Sequence, residues 1–215
     1  MRSVVINLSV VTATGTIRPV QPRDLGDLYD ICLRTGDNGA DATDLYPGEP
    51  RLLGAMFAAP YAVLEPELTF VVDDGQRAVG YVVGTADSET FARRFRTEWL
   101  PTVAQQYPAP TGEVRTRAER IRYSLHHVEQ FVHPELAEFP AHLHIDLLPS
   151  HQRGGFGRAL ITRFLDALRE RDVPGVHLAM GRANTNADAF YRRLGFQEMR
   201  LARFPDVIYF TMKIA

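Results

Sequence analysis

Cys32 is the one cysteine in 215 residues, so no internal disulfide can form. The fold must rest on a packed core, and a reducing compartment, the cytoplasm, is the expectation. Long apolar runs are missing too. No stretch approaches the ~20 residues that span a bilayer. The N-terminal MRSVVINLSVVTATG has neither a long apolar region nor a strongly basic start, which speaks against a signal peptide. Neither sign of charge dominates: Lys and Arg total 24 against 26 Asp and Glu, net −2, so no basic field points to nucleic acid or a membrane surface. Internal repeats and low-complexity linkers are also lacking.

What remains is ordinary globular material. Hydrophobic residues make up 45 % and charged residues 23 %, enough for one large domain. Residues 1–15 read as a tail or an added edge strand, and 16–215 as a single domain. Ile17–Val20 reads as a strand. PRDLGDLYDICLRTG puts Leu25, Leu28, Ile31 and Cys32 on one helical face. GDNGADATDLYPGEP is a turn-rich acidic loop, and RLLGAMFAAPYAVLEP a short helix ending before Pro60 or in a turn after it. LTFVVDDGQRAVGYVVGTAD is two strands around Asp74-Gly75, a hairpin signal. Residues 88–107 predict a helix on Phe91, Phe95 and Trp99, with a break or kink at Pro101. Residues 116–130 predict another, opened by a Thr116/Glu119 capping box. HLHIDLLP then reads as a strand, RGGFGRALITRFLDALRERD as turn and helix, GVHLAMGR as a strand, and NADAFYRRLGF as a helix ending at Gly195. ARFPDVIYFTMKI closes with one or two strands. The order β-α-α-β-β-(α-α)-β-α-β-α-β predicts a mixed α/β fold, one central sheet flanked by helices.

The chemistry concentrates where HLHIDLLPSHQRGGFG meets a helix. Glycines between a strand and a helix expose backbone N–H groups at the positive end of the helix dipole, where phosphate binds. The P-loop pattern fails, because Arg158-Ala159 follows the last glycine instead of Lys-Ser/Thr. The dinucleotide fingerprint fails as well, because Leu160 stands where its third glycine or alanine belongs. A tight turn with no ligand is the plain alternative.

Two motifs in order decide between them. Gln152-Arg153-Gly154-Gly155-Phe156-Gly157 resembles the Gln/Arg-x-x-Gly-x-Gly/Ala signature of the GCN5-related N-acetyltransferase (GNAT) superfamily, and Leu147-Leu148-Pro149 resembles its strand-ending Val-x-Pro. Asn184, Ala187, Tyr191 and Leu194-Gly195-Phe196 match its second pattern, one strand later. The resemblance runs from about Ile17 to Lys213. IRPVQPRDLGDLYDICLRTGDNG, VVGTADSETF, Trp99-Leu100-Pro101 and His144-Ile145-Asp146 are similar to the acetyltransferase-like C-terminal domain of O-GlcNAcase and its free-standing bacterial relatives. The helical insert over about 88–140 belongs to that subgroup. No glycoside hydrolase domain accompanies these residues.

The resemblance implies an acetyl-CoA-dependent N-acetyltransferase. The N–H groups from Arg153 to Arg158, across Gly154, Gly155 and Gly157 and beside Gln152, would cradle the pyrophosphate. Free edge groups at Leu147 and Leu148 would pair with pantetheine, and a backbone N–H near Leu147 would steady the oxyanion. Asn184 and Ala187 would complete the cofactor site. Tyr191 stands where the family keeps its general acid; a core tyrosine is the alternative. Asp146 shares a strand face with His142 and His144, and reads as a general base, an ammonium binder, or a partner of one of the arginines. His142-x-His144 has metal-ligand spacing, with His126, His127 and His133 near in sequence, but there is no His-Glu-x-x-His motif or cysteine cluster, and the family uses no metal. His144 beside Asp146 reads as a proton-relay candidate. Asp37, Asp41, Asp44 and Glu49 would form a wall for a cationic acceptor or a solvated loop. Trp99 and Tyr107 read as core, with the acceptor pocket as the alternative, and Phe190 reads as core. The acceptor is a small-molecule or peptide amine, without nucleic acid or membrane, and a homodimer is an expectation from the relatives. A catalytically silent module holding CoA or a protein partner is the second reading.

Overall fold

Seven strands form one sheet in the order β1-β2-β3-β4-β5-β7-β6. The computed structural model describes residues 14–214. The expected tail or edge strand over 1–15 therefore falls almost wholly outside the described residues, and Thr14 and Gly15 carry no strand. The strands are β1 (Thr16–Pro19), β2 (Phe70–Asp73), β3 (Ala78–Thr85), β4 (Ala141–Leu147), β5 (Gly175–Gly181), β6 (Gln197–Met199) and β7 (Val207–Lys213). Every neighbouring pair is antiparallel except β4–β5, which is parallel. β3 is buried along its whole length, because helices cover both of its faces.

On one face lie α1 (Leu25–Thr35) and the short α2 (Leu52–Phe57) and α3 (Ala59–Leu64). On the other lies α7 (Phe156–Arg169), which buries Leu160, Ile161, Phe164, Leu165 and Leu168 at helical spacing. Each such side chain contributes roughly 2 kcal/mol of burial. The expected short helix ends before Pro60, as α2 does at Phe57, and a second short helix, α3, follows it. The chain breaks at Ala58 because Pro60, in the first turn of α3, has no N–H to continue the ladder. That break aims Tyr61 at β4.

The insert follows the sequence pattern with one local change. α4 (Ser88–Arg94) is capped by Asp87, whose carboxylate accepts from the Thr90 N–H. A π-helical turn, Phe95–Trp99, leads into α5 (Leu100–Val103), and the Leu100 N–H reaches back to the Phe95 carbonyl. Pro101 lacks the N–H that a regular ladder would need, and the bulge absorbs the mismatch. α6 (Arg117–His126) opens on the Thr116/Glu119 box, with both reciprocal hydrogen bonds made. Trp99 and Tyr107 are core; Trp99 Nε1 donates to the Ala55 carbonyl at 2.8 Å. The Asp74-Gly75 hairpin closes with the Asp74 carboxylate accepting from the N–H groups of Gln76 and Arg77.

α8 (Thr185–Arg193) precedes β6, a three-residue edge strand whose polar sequence carries no strand signal. Among the described residues, no helix is long and apolar enough to cross a membrane.

Candidate active site

The sheet parts between β4 and β5. Their ladder holds only at Ala141–Val176 and His142–His177, and beyond it the two strands separate. The Leu148 N–H donates to the Val79 carbonyl at 2.9 Å, which sets which β4 groups face β3. By alternation, the N–H and C=O groups of Leu143, Ile145 and Leu147 face the gap instead. A cavity of about 870 Å³ fills this opening, lined by β4, the β5 residues Leu178 to Gly181, the glycine turn and α8.

That alternation corrects one expected residue. Leu148 offers no free edge group: its N–H is spent on Val79, its carbonyl accepts from the His151 N–H at 2.9 Å, and its side chain is core. Ile145, one pleat upstream of Leu147, takes its place on the open edge. Strand alternation alone would have found it, had the end of the strand been known.

At one end of the cavity stands the glycine turn. Arg153 and Gly155 adopt positive φ, +63° and +87°, so the chain reverses within a few residues and enters α7. Among the described residues, no backbone carbonyl accepts from the N–H groups of Arg153 to Arg158. A Cβ on Gly157 would meet the Phe190 ring at 3.2 Å and Leu147 at 3.5 Å, so only glycine leaves this approach open. Gln152 lines the cavity, and its side-chain amide is tied to the Leu147 carbonyl at 2.9 Å, pinning the turn to the strand end. Gly154 lies outside the lining. Arg153, Arg158 and Arg193 line the cavity and bring positive charge to it.

α8 supplies the opposite wall. The Asn184 Oδ1 accepts from the Ala187 N–H at 3.1 Å, so this side chain caps the helix while lining the cavity with Ala187. Phe190, expected in the core, is half-buried and forms part of the wall. Tyr191 is 7 % exposed, packs on Phe190, Phe196 and Phe210, and also lines the cavity. Burial, with the nearby charge of Asp146, pushes its hydroxyl up, so it stays protonated.

Asp146 lies on the α1 side of β4. No arginine pairs with it among the described residues, so the expected alternative of a salt bridge falls. The Tyr81 hydroxyl donates to its Oδ2 at 2.6 Å. Burial pushes the carboxyl up to about 6, while hydrogen bonds from Tyr81 and Thr35 pull the other way. Tyr81 is fully buried and Cys32 beside it is buried; burial raises both, so the carboxylate stands among neutral groups.

Two residues back on the same face, His144 and His142 meet Tyr61, whose hydroxyl lies 3.2 Å from His144 Nε2 and 2.7 Å from His142 Nε2. The protons of this cluster can be assigned from its partners. The Ser88 hydroxyl donates to the Pro140 carbonyl at 2.6 Å, so His142 Nδ1–H donates to Ser88 Oγ at 2.7 Å. His142 Nε2 then accepts from Tyr61, Tyr61 accepts from His144 Nε2–H, and His144 Nδ1 keeps a lone pair. Burial holds both imidazoles neutral, His144 lowered to about 4. This arrangement displaces the metal reading, because the Nε2 atoms are spent on Tyr61. Among the described residues, no group of three or more His, Cys, Asp and Glu is placed to hold a metal ion. Tyr61, Tyr81 and Thr35 carried no signal in the sequence: they lie far from β4 in the chain and reach it only through packing.

Three of the four acidic side chains of the loop pair with arginines. Asp37 pairs with Arg117 at 3.5 Å, Asp41 with Arg34 at 3.9 Å and Glu49 with Arg122 at 2.7 Å.

Comparison with known proteins agrees with this geometry. The Acetyltransferase (GNAT) family model matches residues 37–196. The crystal structure of SsHAT is similar at 49 % identity and TM-score 0.89, over 94 % of this chain and 99 % of that one. Protein O-GlcNAcase of Rattus norvegicus is 28 % identical over 206 residues, 94 % of this chain. The chain spans 22 % of that relative's length. The fold is also that of yncA from Salmonella typhimurium, solved with its cofactor acetyl-CoA, at 12 % identity and TM-score 0.52 over 94 % of each chain.

Proposed function

The chain belongs to the acetyltransferase (GNAT) family, and we propose that it moves an acetyl group from acetyl-CoA to an amine by direct attack. One observation carries this reading: a single parted strand pair has unpaired helix N-terminal N–H groups at one end and a carboxyl poised at about 6 on its central strand. The residues present fit an acyl-CoA. The turn from Arg153 to Arg158, with Arg193 opposite, suits a pyrophosphate. The open edge of Ile145 and Leu147 suits an amide-bearing chain that adds to a sheet. Bound there, acetyl-CoA supplies an activated thioester carbonyl.

The protein's own groups then divide the proton work. The acceptor must attack as a neutral amine. Above pH ~6 Asp146 is ionised and takes its proton, and His144, two residues back on the same strand, is the relay candidate. A β4 N–H, Ile145 or Leu147, donates toward the carbonyl oxygen as charge builds on it. Tyr191, held protonated, gives a proton to the departing sulfur. Calorimetric titration with acetyl-CoA, followed by thiol release across an amine panel, tests the reading. Micromolar binding with amine-dependent thiol release is the expected result. Absence of binding overturns the proposal, and binding without transfer to any amine overturns the enzymatic part.

A further inference from the structure

A second cavity, of about 170 Å³, adjoins the first. The two share Phe57, Leu143, His144, Leu178 and Ala179, so they meet where β4 and β5 separate. The outer wall of the second comes from the insert: Phe91 and Ala92 on α4, Phe95 in the π-turn, and Val128, Phe131 and Val132 after α6. Met56, Phe57 and Tyr61 close it from α2 and α3.

No Asp, Glu, Lys or Arg lines this space. Most of its polar atoms are paired, and those left over, the lone pairs of His144 Nδ1 and His177 Nε2, are uncharged. The Tyr61 hydroxyl is spent on His142 and His144, and His142 Nδ1 on Ser88. Arg203 donates to His133 Nδ1 at 3.0 Å, so His133 Nε2–H donates to the Tyr209 hydroxyl at 2.8 Å. His177 Nδ1–H donates to the Phe139 carbonyl at 2.7 Å. What faces an occupant is mostly carbon and the faces of neutral rings, with no charged group among them. A charged or strongly polar body entering here would lose its water and find few partners. A dry cavity of about 150 Å³ takes benzene, so the volume suits a phenyl-sized group. The acidic loop offers no competing cation wall, since three of its four carboxylates are held by arginines.

We propose that this cavity receives the body of the acceptor: an amine on a phenyl-sized hydrocarbon with no second charge, its nitrogen directed past His144 toward Asp146. The proposal rests on the transferase reading and gives that reading its substrate class. Polyamines, amino sugars and basic peptides are excluded by the chemistry of the wall.

Fluorine NMR with uncharged 4-fluorobenzyl alcohol, on the full chain, tests the pocket without requiring turnover. The wild type is expected to bind this probe, and Ala92→Phe and Val132→Phe, which fill the cavity from two different elements, to weaken it at least tenfold. CoA affinity, titrated on the same samples, is expected to stay within twofold and reports that each variant is folded. In thiol-release assays, 2-phenylethylamine is expected to exceed spermidine by at least tenfold in kcat/KM. Equal binding of the probe by wild type and both variants, no binding at millimolar probe, or a preference for spermidine overturns the proposal. Absence of CoA binding with the probe still bound overturns the transferase reading instead.

Discussion

The glycine turn and the histidine cavity lie at two ends of one opening in the sheet, and they are built in opposite ways. The turn is backbone: Arg153 to Arg158, six residues in a row, with donors left unpaired and charge supplied by arginines. The cavity is side chain: Tyr61, Phe91, Val132, His142 and His177 come from five separate segments, and Tyr61 closes its hydrogen bonds on His142 and His144. An anion would use donors held ready, and the turn has them. The proposed apolar body would favour polar groups withdrawn, and the cavity ties most of them up. Asp146 stands between, a carboxyl desolvated by the same packing that empties the cavity of charge.

The sharpest test of that division is Asp146→Asn. It is expected to lower kcat/KM about 10³-fold and to abolish the acidic limb near pH 6, while CoA affinity holds, as read by a pH–rate profile and calorimetry. Tyr191→Phe is expected to lower kcat about 10²-fold with CoA affinity again unchanged, measured by steady-state thiol release. A parallel shift in KM and CoA affinity would make Tyr191 a packing residue and break the comparison.

The next effect is on stability. The folded Asp146 carboxyl lies near 6, above its ordinary value, so its contribution is full below pH ~4 and is lost as pH rises through about 6. His142 and His144 are pushed down, so the stability they contribute grows as pH rises from about 4 through their ordinary range near 6.5. Removing the carboxyl leaves the histidine limb unopposed. Urea unfolding at pH 4.5 and 7.5 is expected to show a gain toward neutral pH larger by about 2 kcal/mol in Asp146→Asn than in the wild type.

Gly155→Val places a β-branched residue at φ +87°. It is expected to cost about 1–3 kcal/mol in denaturant unfolding and about tenfold in CoA affinity, while the fluorinated probe binds as before. Tyr61→Phe works at the other end. It leaves His142 Nε2 without its donor and is expected to cost about 1 kcal/mol, or roughly 2–4 °C in Tm, with CoA affinity unchanged.

The same contrast explains what could be read from residues alone. The glycine turn, the Thr116/Glu119 box, the stripe of α7 and the β-α order announced themselves because each depends on neighbours within a few positions. The second short helix α3, the π-turn before Pro101 and the three-residue β6 did not. Each is a compromise between a local pattern and what packs on it. Leu148 is the instructive error. The residue type and its place before Pro149 fit the family motif, but the spending of its N–H on Val79 depends on where β3 stops pairing.

Local chemistry was enough to write down the glycine turn, the Asn184–Tyr191 segment and the mixed α/β order. Backbone conformation and helix-end donors are properties of short stretches of chain. Only the assembled sheet decided that β4 and β5 part after His142, that Ile145 and not Leu148 lies on the open edge, and that Asp146 faces Tyr81 instead of an arginine. It also decided that the histidines are neutral and bound to Tyr61. Register, desolvation and the sharing of a proton among partners far apart in sequence exist only once the layers have closed on one another.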